Sequence, residues 1–144
     1  MFNSKKVLKT ALLASSLALS TVSVADIAII VNPASGASSL DGKDLKRIYL
    51  GNTFALPDGS AVKLADLAFG NALRDQFYLK CCDISAQQAR SRWAGVLFSG
   101  AGKPPTELAS DKEVLAWVAG NKDAMGYVDS TSVDASVKSV MVLK

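Results

Sequence analysis

The run Ile27–Val31 has the sequence IAIIV, in which every residue is apolar, and Asn32 and Pro33 follow it directly. A strand with no polar side chain has no face suited to water, so it fits a sheet that is covered on both faces. Proline cannot donate a hydrogen bond to a neighbouring strand, which ends the strand near Val31. This run therefore predicts a central strand with further layers of structure on both sides.

Further strands and helices alternate along the rest of the chain. Extended segments are predicted over residues 61–67, 124–128 and 137–143, and helices over residues 41–50 and 71–81. Two more helices are expected to start at the capping-box patterns that begin at Ser85 and Ser110. Strands that alternate with helices predict an α/β domain with a mixed sheet flanked by helices.

The apolar spacing predicts which helix faces turn inward. Leu73, Phe77 and Cys81 are four residues apart from one another, so they are expected to share the buried face of the helix over 71–81. Trp93 and Leu97 belong to an apolar stripe of the next helix. We interpret Trp93 as a core side chain rather than as a platform for a ligand.

The first 25 residues have the pattern of a secretory signal peptide. Three lysines precede an uncharged run, and Ser23, Val24 and Ala25 form a cleavage site of small residues. We expect cleavage after Ala25, export to the periplasm without a lipid anchor or membrane insertion, and one domain over residues 26–144. Because the removed segment holds three lysines and no acid, cleavage lowers the formal net charge from +3 to zero. A basic surface for nucleic acid is therefore not expected.

The residues needed for the common forms of catalysis are missing. The chain has no His, so it has no Ser-His or Cys-His pair and no imidazole general base. Its only two cysteines, Cys81 and Cys82, are adjacent, which makes a zinc site implausible. We interpret them as one buried and one partly exposed thiol, with a strained bridge or an intermolecular bridge as alternatives. The sequence thus predicts a protein that is not an enzyme and that carries no metal or cofactor.

A corner between a predicted strand and a helix is the best candidate for a binding site. Gly70 and Asn71 lie at this corner, and Arg74 follows one turn into the helix. The first N–H groups of a helix are unpaired and its dipole is positive there, so small residues let an anion approach. Arg74 could add a bidentate contact to the same anion. The alternative is simple helix capping, with Arg74 paired to a surface acid.

Several segments in the same order resemble the phosphate-specific solute-binding proteins of ABC transporters. Residues 40–52, LDGKDLKRIYLGN, are similar to the family segment LDGKxLxxIYLGK. Residues 73–77, LRDQF, are similar to the family pattern R..F, and residues 124–128, AMGYV, are similar to gaIGYv. Where the family has Ser-Gly-Thr at a helix start, this chain has Phe69, Gly70 and Asn71.

This resemblance implies a single lobe of the type II periplasmic-binding-protein fold. Full-length members have two lobes that close on phosphate, and this chain corresponds to one of them. The resemblance implies binding of phosphate or a similar oxyanion, and a role in ABC-type uptake or sensing. A single open lobe leaves the anion solvated, so we expect weak binding unless a second copy or a partner covers the site. We expect the ligand at two helix starts, with Ser38 and Ser39 before one and Gly70, Asn71 and Arg74 at the other.

A second interpretation assigns the chain to another class of protein. In this interpretation the lobe has kept its fold and lost its ligand. It would serve as a periplasmic interaction module that docks on a transporter, on a sensor or on a second copy of itself.

Overall fold

The computed structural model describes residues 25–144 and the single position 18. Apart from two of its positions, the predicted signal peptide lies outside these residues. The strands are β1 Ile27–Val31, β2 Lys63–Leu67, β3 Thr106–Leu108, β4 Ala124–Asp129 and β5 Lys138–Leu143. The helices are α1 Gly42–Tyr49, α2 Ala72–Cys82, α3 Ala86–Phe98 and α4 Asp111–Gly120, and a 3₁₀ turn covers Ser130–Ser132.

The five strands form one mixed sheet in the order β3-β2-β4-β1-β5. Strand β2 runs parallel to β3 and β4, whereas β1 is antiparallel to both β4 and β5. All five residues of β1 are buried, as its apolar sequence predicts. The α/β prediction is therefore confirmed, but the sequence analysis did not predict β3, an edge strand of only three residues.

Helices cover both faces of the sheet, as the contacts of two adjacent residues on β4, Gly126 and Tyr127, show. A side chain on Gly126 would clash with Val114 of α4, since an added Cβ would lie 2.8 Å from its Cγ1. The next residue, Tyr127, points to the other face, where its ring stacks on Phe77 of α2 with centroids 3.8 Å apart. Tyr49 of α1 meets the Phe77 ring edge-on at 4.7 Å. Helix α4 thus packs on one face, and α1 and α2 pack on the other.

The buried face of α2 differs from the predicted one. The structure buries Arg74, Phe77, Tyr78 and Cys82, whereas Leu73 and Cys81 are only partly buried. Only Phe77 belongs to both sets. The apolar spacing pointed to the wrong face because the structure buries Arg74, whose charge is paired with acidic side chains from β2 and β3.

Other local predictions on the helices are confirmed. Helix α3 begins with the complete capping box at Ser85. Trp93 is a core residue whose indole N–H donates to the carbonyl of Tyr49 over 2.9 Å. Cys82 is buried, Cys81 is half-buried, and both are free thiols. Across the described part of the chain, the helices are too short or too polar to cross a bilayer.

Candidate functional site

Residues 68–71, which we call the β2–α2 corner, connect the end of β2 to the start of α2. Gly70 has φ +94°, a conformation that side chains disfavour, so glycine suits this position. Asn71 is the N-cap, and its side-chain oxygen accepts a hydrogen bond from the backbone N–H of Leu73 over 2.8 Å. One of the N–H groups expected to meet an anion is therefore already occupied by the chain's own cap.

Arg74 lies beneath this corner and is 3% exposed. Its Nη1 donates to the carbonyl of Leu67 over 2.8 Å and to Oε1 of Glu107 over 2.6 Å. Its Nη2 is 3.7 Å from Oδ2 of Asp66, beyond hydrogen-bonding distance. Its Nε has no acceptor among the described residues. Glu107 is the surface acid that the alternative interpretation of Arg74 expects. Within residues 25–144, Nε and Nη2 make no hydrogen bond, although Nη2 faces Asp66.

The carboxylate of Asp66, on β2, is buried next to Arg74 and accepts two hydrogen bonds. The hydroxyl of Tyr78 donates to its Oδ2 over 2.6 Å, and the hydroxyl of Tyr127 donates to its Oδ1. Burial raises the pKa of Asp66, although the two hydroxyls and the charge of Arg74 act in the opposite direction. Burial also raises the pKa of both tyrosines, with the charge of Asp66 adding to it. Both hydroxyls therefore remain hydrogen-bond donors at neutral pH.

The charge of Arg74 is likewise fixed by its neighbours. Desolvation lowers the pKa of its guanidinium, but Asp66 and Glu107 raise it by more, so the net change is upward. Arg74 is thus a permanent buried cation. The sequence offered no sign of this, because Glu107 is 33 residues away along the chain.

A cavity of about 250 Å³, which we call the Arg74 cavity, opens beside this guanidinium. Its polar lining comes from Asp66, Arg74, Arg90 and Glu107. Its apolar lining comes from Trp93, Ala94, Leu97, Pro104 and Pro105. The sequence analysis placed Leu97 in an inward stripe, but the structure leaves it 48% exposed at this cavity.

Phe69 links the β2–α2 corner to the Arg74 cavity. The guanidinium carbon of Arg90 is 4.8 Å from the centre of the Phe69 ring, and that of Arg74 is 5.6 Å away. Such distances allow favourable cation–π contacts. The corner and the cavity therefore share two positive side chains, of which only Arg74 was a candidate from the sequence.

Ser38 and Ser39 lie elsewhere on the molecule. Both are exposed in the loop that precedes α1. Helix α1 begins beside β5, because a Cβ on Gly42 would lie 3.9 Å from Cε of Met141. Two strands, β4 and β1, separate β5 from β2, to which the β2–α2 corner belongs. The structure thus brings Gly70, Asn71 and Arg74 together without the two serines.

Solved structures of phosphate-binding proteins share this arrangement of strands and helices. An ABC-type phosphate transport receptor from Vibrio cholerae aligns with a TM-score of 0.62 at 19% identity over 81% of this chain. A proposed phosphate ABC transporter substrate-binding protein from Clostridium perfringens, solved with bound phosphate, aligns with a TM-score of 0.65 at 20% identity over 81%. PstS from Borrelia burgdorferi aligns with a TM-score of 0.60 at 10% identity over 83%.

This chain has the fold of one lobe of such binding proteins. It spans 46%, 45% and 47% of the length of these three chains, which confirms the predicted single-lobe architecture. No protein-family profile matches the chain. No curated protein matches it either.

Proposed function

We propose that this protein is a single-lobe solute-binding protein that binds phosphate or a similar small oxyanion at the β2–α2 corner. The observation that carries the proposal is Arg74, a buried cation beneath the corner that lines a cavity and whose Nε and Nη2 make no hydrogen bond to the described residues. The similar proteins of known structure are binding proteins, which supports a binding role rather than an enzymatic one.

The position of the corner in the sheet supports the proposal. Ligands of open α/β sheets bind beyond the carboxyl ends of parallel strands, and the corner follows the carboxyl end of β2. Gly70, Asn71 and Arg74 belong to this site in our proposal, with Arg90 as an additional cation. Ser38 and Ser39 remain a prediction from the sequence, for which the structure adds no support.

The charges around Arg74 imply weak binding of a small anion. Asp66 and Glu107 line the same cavity as Arg74 and Arg90, so the four formal charges cancel. An anion held by a single open lobe also stays in contact with water, which weakens its electrostatic attraction. We therefore expect dissociation constants of about 1 mM, near −4 kcal/mol.

We propose a periplasmic location and a transporter or sensor as the partner. The signal-peptide pattern and the similarity to an ABC-type phosphate transport receptor and a proposed phosphate ABC transporter substrate-binding protein support this part of the proposal. Phe98 is 88% exposed next to Leu97, so a partner or a second copy could cover apolar surface beside the cavity. Light scattering of the mature protein, with and without phosphate, tests whether a second copy covers it.

Isothermal titration of the mature protein, residues 26–144, with phosphate and with sulfate tests the binding proposal. Arg90→Gln removes an exposed cation at the site and should weaken binding severalfold without unfolding the protein. Lys46→Gln, which removes an exposed cation on α1, is the matched control and should change nothing. Absence of heat for both anions up to 10 mM, about −2.7 kcal/mol, would exclude the proposed function.

A further inference from the structure

We infer that the Arg74 cavity selects monoanionic organic acids, with the acid group at Arg74 and an apolar body against Trp93 and Leu97. This inference rests on the proposed function, because it assigns a ligand class to the same site. It also goes further, because inorganic phosphate has no apolar part and leaves the five apolar residues of the cavity lining without a partner.

The anionic end of such a ligand has a defined receptor. Nε and Nη2 are neighbouring donors on one edge of the Arg74 guanidinium. Nε is buried without an acceptor among the described residues, and Nη2 faces Oδ2 of Asp66 at 3.7 Å, too far for a hydrogen bond. The other side of the group is fixed, because Nη1 is bonded to Leu67 and Glu107. A carboxylate accepts two parallel N–H bonds from such an edge. A side chain that is already held in place loses little entropy when it binds.

The balance of charges favours a monoanion over a dianion. The two carboxylates in the cavity, Asp66 and Glu107, repel any anion that approaches Arg74. Asp66 is buried and fixed by two tyrosine hydroxyls, whereas the side chain of Glu107 is 51% exposed and free to turn toward water. When a monoanion binds the Nε–Nη2 edge and Glu107 turns from Nη1 toward water, the total charge around Arg74 does not change. A second negative charge on the ligand would remain uncompensated.

The charges around Arg74 cancel, so the affinity must come from burial of an apolar group at the apolar end of the cavity. Trp93, Ala94, Leu97, Pro104 and Pro105 form this end. The cavity volume of about 250 Å³ equals that of several water molecules, at ~30 Å³ each in the liquid. Its exposed Leu97 gains burial when an apolar group enters. An aromatic ring or a branched aliphatic chain is therefore the class of apolar group that we expect.

Titration of the mature protein with acetate, benzoate and inorganic phosphate tests this inference. Acetate and benzoate share the carboxylate and differ in the apolar body, so their ratio isolates the contribution of the cavity. Burial of the ring should make benzoate bind at least about tenfold more tightly than acetate. Equal affinities for acetate and benzoate, with phosphate binding intact, would overturn the inference and leave the proposed function standing. Absence of binding by all three anions would overturn both.

Two variants test whether the apolar end is responsible. Ala94→Phe fills this end with a ring, and Leu97→Gln changes a half-exposed side chain that the fold does not need. Each should abolish the advantage of benzoate over acetate. Ala116→Phe, at an exposed position on α4, is the matched control and should preserve the advantage. If benzoate keeps its advantage in both cavity variants, its ring binds elsewhere and the inference is wrong.

Discussion

The guanidinium of Arg74 donates to the carboxylate of Glu107 over 2.6 Å, and this ion pair ties the first turn of α2 to the edge strand β3. The two ends differ in their surroundings, since the side chain of Arg74 is 4% exposed and that of Glu107 is 51% exposed. Glu107 can therefore leave while Arg74 stays. This asymmetry makes Glu107 a competitor for any anion that binds Arg74.

Glu107→Gln should tighten anion binding at little cost in stability. A pair with one half-exposed partner contributes about 0.2–1 kcal/mol, so the free energy of unfolding should fall by no more than this. Removal of the negative charge should lower the dissociation constant for phosphate several-fold, as measured by isothermal titration. Glu113→Gln removes a carboxylate from α4 and serves as the control. An unchanged or weaker affinity in Glu107→Gln would show that the anion does not bind at Arg74.

Arg74→Met should destabilise the fold strongly, because it leaves the carboxylate of Asp66 buried without a cation. Loss of one partner from a buried ion pair costs about 3–5 kcal/mol. The double variant, Arg74→Met with Asp66→Asn, removes both charges and should recover part of this loss. Urea unfolding of the two variants and the wild type measures the difference. A double variant that is less stable than Arg74→Met would contradict this account of Asp66.

The alternation of strands and helices was predictable from the sequence, but the environment of Arg74 was not. Ile27–Val31 and the capping box at Ser85 are local signals, and both appear in the structure as expected. The partners of Arg74 come from a strand before it and from β3, whose three residues carry no clear pattern of their own. An arginine on an otherwise apolar helix face is normally read as solvent-exposed. Only the tertiary contacts to Asp66 and Glu107 show that Arg74 is buried.

The pKa of Asp66 predicts a specific pH dependence of stability. Its folded-state pKa is raised above the ordinary value of 3.8, so the folded state binds its proton more tightly than the unfolded state does. This contribution to stability is fully present below the unfolded pKa and is lost as the pH rises through the folded pKa. Tyr78, Tyr127 and Arg74 face the carboxyl group, and none of them changes its charge in this range.

Asp66→Asn isolates this contribution, because the variant cannot titrate. The free energy of unfolding of the wild type relative to Asp66→Asn should be highest below pH 3.8 and should decrease as the pH rises. Urea unfolding at a series of pH values between about 3 and 7 measures the difference. The exposed variant Asp58→Asn provides a contrast of opposite sign, because hydrogen bonds from Ser60 lower the pKa of Asp58. A difference that increases with pH for Asp66→Asn would show that its pKa is lowered.

Asn71 allows the stability of α2 to be separated from anion binding at the β2–α2 corner. Asn71→Asp should preserve the cap to the N–H of Leu73, and its negative charge should favour the helix dipole by about 0.3–1 kcal/mol. The same charge should repel an anion at the corner, so phosphate binding should weaken while thermal stability holds or rises. Ser85→Asp makes the corresponding change at the N-cap of α3 and should leave phosphate binding unaffected. If both variants bind phosphate as the wild type does, the corner is not the binding site. A full negative charge at the N-cap of α2 must repel an anion that binds next to it.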